Sequence, residues 1–221
     1  AVSRAAESFR EQSDRLDVLI NNAGVFVSDL RHTAQGFELQ FGINHLGHFL
    51  LTQQLLPLLR EAPAPRIVNV SSIAYLHGHL DFDRVKGEIP DYNGLRAYAR
   101  SKLANVLFTR ELARRYPDID SNCLHPGVVR TGFGNKHSRW YLSLFWRLYK
   151  PFMNSSEKGA RTSVYLAASP EVAGVSGAFF DEKQQQRNLA GEAPNDLLAH
   201  RLWERSREWG EGGGGDGGIL E

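Results

Sequence analysis

The chain of 221 residues holds a single cysteine, Cys123, which excludes any internal disulfide framework. It has no run near the ~18 consecutive apolar residues of a membrane-spanning helix. It also lacks a charge excess. Lys+Arg number 26 against 25 Asp+Glu, which argues against nucleic acid as the main partner. The only charge run, Arg110-Glu111-Leu112-Ala113-Arg114-Arg115, reads as a solvated helix face. Methionine is as scarce as cysteine: Met153 is the only one, and the chain opens Ala1-Val2-Ser3. Either an upstream piece has been removed or the sequence is part of a longer one, so a targeting or anchoring segment stays an open question.

What is present fits one α/β domain with one core. Residues 1–12 read as the end of an amphipathic helix. Leu16-Asp17-Val18-Leu19-Ile20 is a short apolar run closed by Asn21-Asn22-Ala23-Gly24, the pattern of a buried parallel strand with a loop at its carboxyl end. Small residues there let a ligand approach the backbone, although the same four residues also suit an ordinary turn. Residues 34–59 predict a long helix, with Asn44 in its middle, where asparagine is a poor helix former. Either Asn44 is merely exposed, or it serves a site through a loosened backbone. His45 and His48 stand three residues apart without an acidic or cysteine companion. They read as packed or solvated histidines, and no metal is expected.

Strands at 66–70, 121–125 and 177–180 follow, with helices at about 94–116, 157–168 and 195–209. The alternation predicts an α/β doubly wound parallel sheet of the Rossmann type. Residues 1–209 form one domain, and 210–221 a flexible glycine-rich tail. Three strands end in polar or small residues, at Asn21–Gly24, Ser71-Ser72 and Pro126–Thr131, and ligands bind beyond the carboxyl ends of such strands. Between the last two lies Tyr98-Ala99-Arg100-Ser101-Lys102. On a helix, Tyr98 and Lys102 share one face. The lysine would then lower the phenol pKa from roughly 10 and ready it for proton transfer. The bland alternative is a packed tyrosine beside a solvated lysine. Residues 140–152 concentrate aromatics, as a cap on the core, a lid over an apolar substrate or a membrane-surface helix would.

Taken in order, Asn21-Asn22-Ala23-Gly24, Asn44-His45-Leu46-Gly47-His48-Phe49, Val70-Ser71-Ser72, Tyr98 through Asn105, and His125-Pro126-Gly127-Val128-Val129-Arg130-Thr131 resemble the short-chain dehydrogenase/reductase family. The likeness is to its retinol-dehydrogenase-like branch and covers about residues 14 to 205. The resemblance implies Tyr98 as general acid or base, Lys102 as the residue that lowers its pKa and holds the nicotinamide ribose, and Ser72 as the group that grips the substrate oxygen. It implies Asn44 as the residue that opens the helix for a proton relay. Asn21, Ala23 and Gly24 would line the adenosine side of the cofactor. Pro126, Gly127 and Val129 would border the nicotinamide, and Thr131 would bond its carboxamide. The cofactor implied is NADP or NAD, with NADP favoured by the resemblance alone, and the substrate a small apolar alcohol or carbonyl compound.

The family's opening strand, glycine turn and helix, which hold the pyrophosphate, have no counterpart here. The expectation is therefore an N-terminally truncated domain whose strand at 17–21 leaves an apolar sheet edge. The competing reading is a non-catalytic remnant that acts as a binding protein. A homodimer through helices 36–59 and 96–116 is permitted by their apolar faces, and the location is cytoplasmic or membrane-associated.

Overall fold

The computed structural model describes residues 1–127 and 155–211. Helix α1 (Val2–Gln12) leads to strand β1 (Val18–Asn21). A short helix α2 (Leu39–Phe41) runs through a π-helical turn, Gly42–Leu46, directly into α3 (Gly47–Arg60). Then come β2 (Arg66–Val70), α4 (Gly94–Arg115), β3 (Asp120–Leu124), α5 (Ser156–Ala168), β4 (Phe179–Phe180), β5 (Gln186–Arg187) and α6 (Asp196–Glu211). The sheet runs in order β1-β2-β3-β4-β5, parallel except for β5, which pairs antiparallel with β4.

Register decides which side chains meet the helices. Leu19 aligns with Ile67, and both pack under α3 and α4 with Phe49 and Phe108. Val68 and Leu124 point the other way, against Leu166 of α5. Helices on both faces make the sheet doubly wound, as the pattern predicted. β1 is the edge of the sheet among the described residues, and Ile20 is 42% exposed there. The small hairpin strand β5 escapes sequence reading because two exposed residues leave no periodicity.

The helix expected over 34–59 starts later. Gly36 sits at φ 77°, a left-handed turn that ends any helix passing through it, and bridges at His32–Glu38 and Phe37–Lys86 hold this stretch extended. The helical course begins where the buried Glu38 carboxylate accepts from Gln40 N and Phe41 N. Helix α4 is capped by the Asn93 side chain, which accepts from Leu95 N and Arg96 N. A Cβ on Gly94 would stand 2.3 Å from the Val27 carbonyl, so only glycine lets α4 start against the loop that follows β1.

One expectation is corrected here. The charge run of α4 is not a solvated face. The Glu111 carboxylate is buried and binds Arg114, Arg115 and His200, and Arg115 continues to Glu204 on α6. The apolar seam of α3 and α4, whose faces permit pairing with a second copy, carries the chain's own α6. Trp203 packs on Phe49 and Phe108, and Trp209 on Phe37 and Phe41. Burial of that apolar surface holds α6 down, and Arg110–Asp196 pins its start at 2.6 Å.

Candidate active site

The site gathers at the carboxyl ends of β1 to β3, where the polar strand ends face the first half of α4. Val70 closes β2, and its carbonyl accepts from Lys102 Nζ at 3.1 Å and from Asn105 Nδ2 at 3.2 Å. The next residue, Ser71, is buried and donates to the Lys102 carbonyl at 2.8 Å, tying the strand end to the helix. Ser72 turns the other way. It caps the 3₁₀ turn Ile73–His77 by accepting from Ala74 N, and its hydroxyl is hydrogen-bonded to Tyr98. Lys102 Nζ stands 5.6 Å from the centre of the Tyr98 ring. Ser72, Tyr98 and Lys102 thus share one cleft.

Asn44 lies inside the π turn, and its side chain makes three bonds. Its Oδ1 accepts from Val25 N at 2.7 Å, while its Nδ2 donates to the Val25 carbonyl and to Ser101 Oγ, each at 3.0 Å. This latches the loop after β1 onto α4, one residue before Lys102. The extra backbone atoms of a π turn explain how an asparagine fits mid-helix: the widened ring turns its side chain inward to satisfied partners.

The electrostatics differ from the sequence expectation. Tyr98 is pushed up to about 12, because burial disfavours the phenolate more than the Ser72 hydrogen bond favours it. Lys102 is the group driven toward neutrality: burial lowers it to about 8. The lysine was expected to acidify the phenol, but both groups are buried and desolvation dominates each. His45 and His48 are packed, not solvated, and burial lowers them to about 3 and about 4. Cys123 is buried and raised to about 12, so it carries no thiolate chemistry.

Of the other site candidates, Asn21 is turned away from the cleft. Its Nδ2 donates to Thr52 Oγ1 and Asn69 Oδ1, and Asn69 continues to Thr109, a buried polar ladder that locks β1 and β2 to α3 and α4. The Asn21 side chain is thus a structural tie between strands and helices. Gly24 lies against the Asn44 and Lys102 side chains, and the Ala23 backbone lies beside the His48 ring. A Cβ on Gly24 would lie 3.3 Å from Asn44 Oδ1 and 3.6 Å from Lys102 Nζ, so a bare backbone is what leaves room beside the ammonium. Pro126 and Gly127 follow β3, Gly127 at φ 73° with its N–H donating to His125 Nδ1. Val129, Thr131 and the aromatic segment 140–152 lie outside the described residues. Among the described residues no cluster of three or more histidines, cysteines or carboxylates is arranged to hold a metal.

Sequence reasoning missed Ser101 as the partner of Asn44, although its place between Tyr98 and Lys102 was a signal. It also missed His48, whose buried ring lies beside Lys102 and the Ala23 and Asn44 backbones.

A model of the short chain dehydrogenase family matches residues 1–142. The chain is 46% identical over 211 residues to human retinol dehydrogenase 14 and 44% identical over 216 residues to human retinol dehydrogenase 13. Each match takes in 93% of this chain, but the chain spans only 62% and 64% of those relatives' lengths. Among solved structures, an uncharacterized protein from Mycobacterium paratuberculosis superposes with a TM-score of 0.70 at 30% identity, over 94% of this chain and 71% of that one. An NADPH-bound carbonyl reductase from chicken fatty liver shares the fold at a TM-score of 0.59 and 24% identity, over 85% of this chain and 72% of that one. Motif order, sheet topology and these likenesses agree: the chain belongs to the short-chain dehydrogenase family.

Proposed function

We propose that the chain carries the proton-transfer site of a nicotinamide-dependent oxidoreductase acting on an apolar alcohol or carbonyl compound. The observation that carries this reading is the hydrogen bond between Ser72 and a half-buried Tyr98, with Lys102 over the same ring. A nicotinamide cofactor, when bound, supplies or accepts the hydride. Every proton step belongs to the chain. Tyr98 holds its proton well past neutral pH and so is set to donate it to a substrate oxygen, the role that carbonyl reduction requires. Ser72 can donate to the same oxygen and stabilise its negative charge. Lys102 and Asn44 keep the phenol's surroundings fixed, and Gly24 allows close approach on their far side. Ala23, Gly24, Lys102, Pro126 and Gly127 are the described residues that would hold the cofactor, NADP or NAD.

An apolar substrate is supported by exposed apolar residues close in sequence to the site: Ile73 and Leu76 lie one and four residues after Ser72, and Leu95 three before Tyr98. The names of the retinol dehydrogenase relatives point to the same class. No helix among the described residues is long and apolar enough to cross a membrane.

The test is NADPH- or NADH-dependent reduction of apolar aldehydes, with retinal as the probe, by the full-length protein and by its Tyr98→Phe variant, with dinucleotide binding measured on the chain itself. The expected result is turnover that the variant loses by a factor of about a hundred or more while cofactor binding persists. Undiminished turnover in the variant refutes the assigned chemistry. A chain that binds neither dinucleotide is the result the non-catalytic reading requires.

A further inference from the structure

Helix α6 begins more than ninety residues beyond Lys102 in sequence, yet it reaches the site from behind. Its Ser206 is buried, and a 2.9 Å hydrogen bond joins the Ser206 hydroxyl to His45 Nε2. His45 is fully buried in the π turn, immediately after Asn44, among the rings of Phe41, Phe49 and Phe108. The same imidazole meets the Asn105 side chain on α4. Asn105 donates to the Val70 carbonyl that also receives Lys102 Nζ. Neighbouring polar groups therefore run from α6 through His45 and Asn105 to the carbonyl that anchors the ammonium, with no hydrogen bond at His45 Nδ1 or Asn105 Oδ1.

We propose that α6 is a positioning element of the site: through the Ser206–His45 contact it holds the π turn against α4 and keeps Lys102 dry and in register with Tyr98. This rests on the functional reading above for its meaning, but not for its test. The reason lies in where solvent could enter. α6 covers the seam between α3 and α4, and Lys102, on α4, is 3% exposed. His45 Nδ1 is already buried without a partner, so loss of the Ser206 hydroxyl leaves the imidazole with no hydrogen bond at all, and finding water or shifting then opens the turn at Asn44. The groups that face Lys102 are His48 from α3, Tyr98 from α4, the Val70 carbonyl from β2 and the backbone at Gly24. None of these is an anion. Dryness is therefore what sets the lysine's acidity, and rehydration moves it in one direction only, upward.

The experiment is an NMR titration of the Lys102 ammonium in the intact chain, which needs neither cofactor nor turnover. In the native chain the midpoint falls near 8. Ser206→Ala raises it by about one unit, a tenfold change in acidity, and Ser206→Thr, which keeps the hydroxyl, restores it. A midpoint unchanged in a folded Ser206→Ala chain, whatever its melting temperature, makes the contact a structural pin and overturns the proposal. Should Ser206→Ala not fold, Arg115→Gln loosens α6 from its outer side, where Arg115 binds Glu204 and covers the Trp203 ring. The same upward shift is expected there, and its absence counts against the proposal equally. Failure of dinucleotide binding or turnover would strike the functional reading and leave this titration standing.

Discussion

Replacing Lys102 with methionine should make the protein more stable, against the usual expectation for a buried, hydrogen-bonded residue. The ammonium is 3% exposed and its pKa is lowered by burial to about 8, whereas an unfolded lysine titrates near ~10.4. A gap of about 2.5 units corresponds to about 3 kcal/mol of folding free energy, present as a penalty wherever both states are charged. At pH 7 the penalty is complete. Between about 8 and ~10.4 the folded chain has released the proton while the unfolded chain still binds it, so stability rises with pH until the penalty is gone. Methionine matches the lysine stem in length and forfeits the bond to the Val70 carbonyl, worth about 1 kcal/mol. That carbonyl keeps Asn105 Nδ2 as a donor and is not orphaned. The net gain at pH 7 is about 2 kcal/mol, shrinking to nothing or reversing near pH 10. Urea unfolding of both chains at pH 7 and at pH 9.5 reads the difference. Measurement stays below pH 10 because Tyr98, raised to about 12, keeps its proton there while an unfolded tyrosine loses it, so its slope has the opposite sign. A variant less stable than the native chain at pH 7, with an unaltered pH slope, would show that the lysine is not held at a cost.

Acid should destabilise the fold by a related route. His45 and His48 are held neutral, at about 3 and about 4, so below pH ~6.5 the unfolded chain takes up protons that the folded one refuses, and stability falls from there down to about pH 4. Equilibrium unfolding between pH 7 and 5 should show this slope, and His48→Gln should flatten it; a slope that ignores the substitution would remove His48 from the account. Trp203→Ala should lose about 3–5 kcal/mol, because the ring fills the space between Phe49 and Phe108 under the Arg115 guanidinium. A loss under about 1 kcal/mol by chemical denaturation would mean that α6 is not packed as described.

Periodicity located β2 to the residue and the other long strands to within one or two, since parallel strands buried on both faces are simple apolar runs. Motif spacing also found the cleft: Ser72, Tyr98 and Lys102 come from a strand end and one helical turn, which local geometry brings together. Three things were hidden. The late start of the helix before α3 depends on Gly36 and on the Glu38 cap, and a carboxylate at that position reads equally well as a surface charge. The inward turn of Asn21 depends on Thr52 and Asn69, which only the fold brings into reach. The sign of the Tyr98 shift was misjudged because a sequence shows that a cation is near but not how much water has been removed from both partners. The partnership of His45 with Ser206 spans 161 residues and left no trace in spacing.

Helix α4 draws these observations into one physical statement. Nearly every residue from Ala97 to Leu112 is buried, including Arg100, Ser101, Lys102, Asn105, Thr109 and Glu111. A helix buried on all sides would ordinarily be apolar throughout. Ser101 bonds Asn44, Thr109 bonds Asn69, Asn105 bonds the end of β2, Glu111 binds two arginines, and Arg100 donates to the His79 and Arg84 carbonyls. Each neighbour of Lys102 on this helix is therefore a fixed dipole or a matched ion pair. The lysine stands apart as a cation hydrogen-bonded to one carbonyl, with its acidity set by burial alone. Sites that handle protons are where burial shifts a pKa toward working pH. On α4 the ammonium brought down to about 8 stands a single turn from the phenol that has a proton to give.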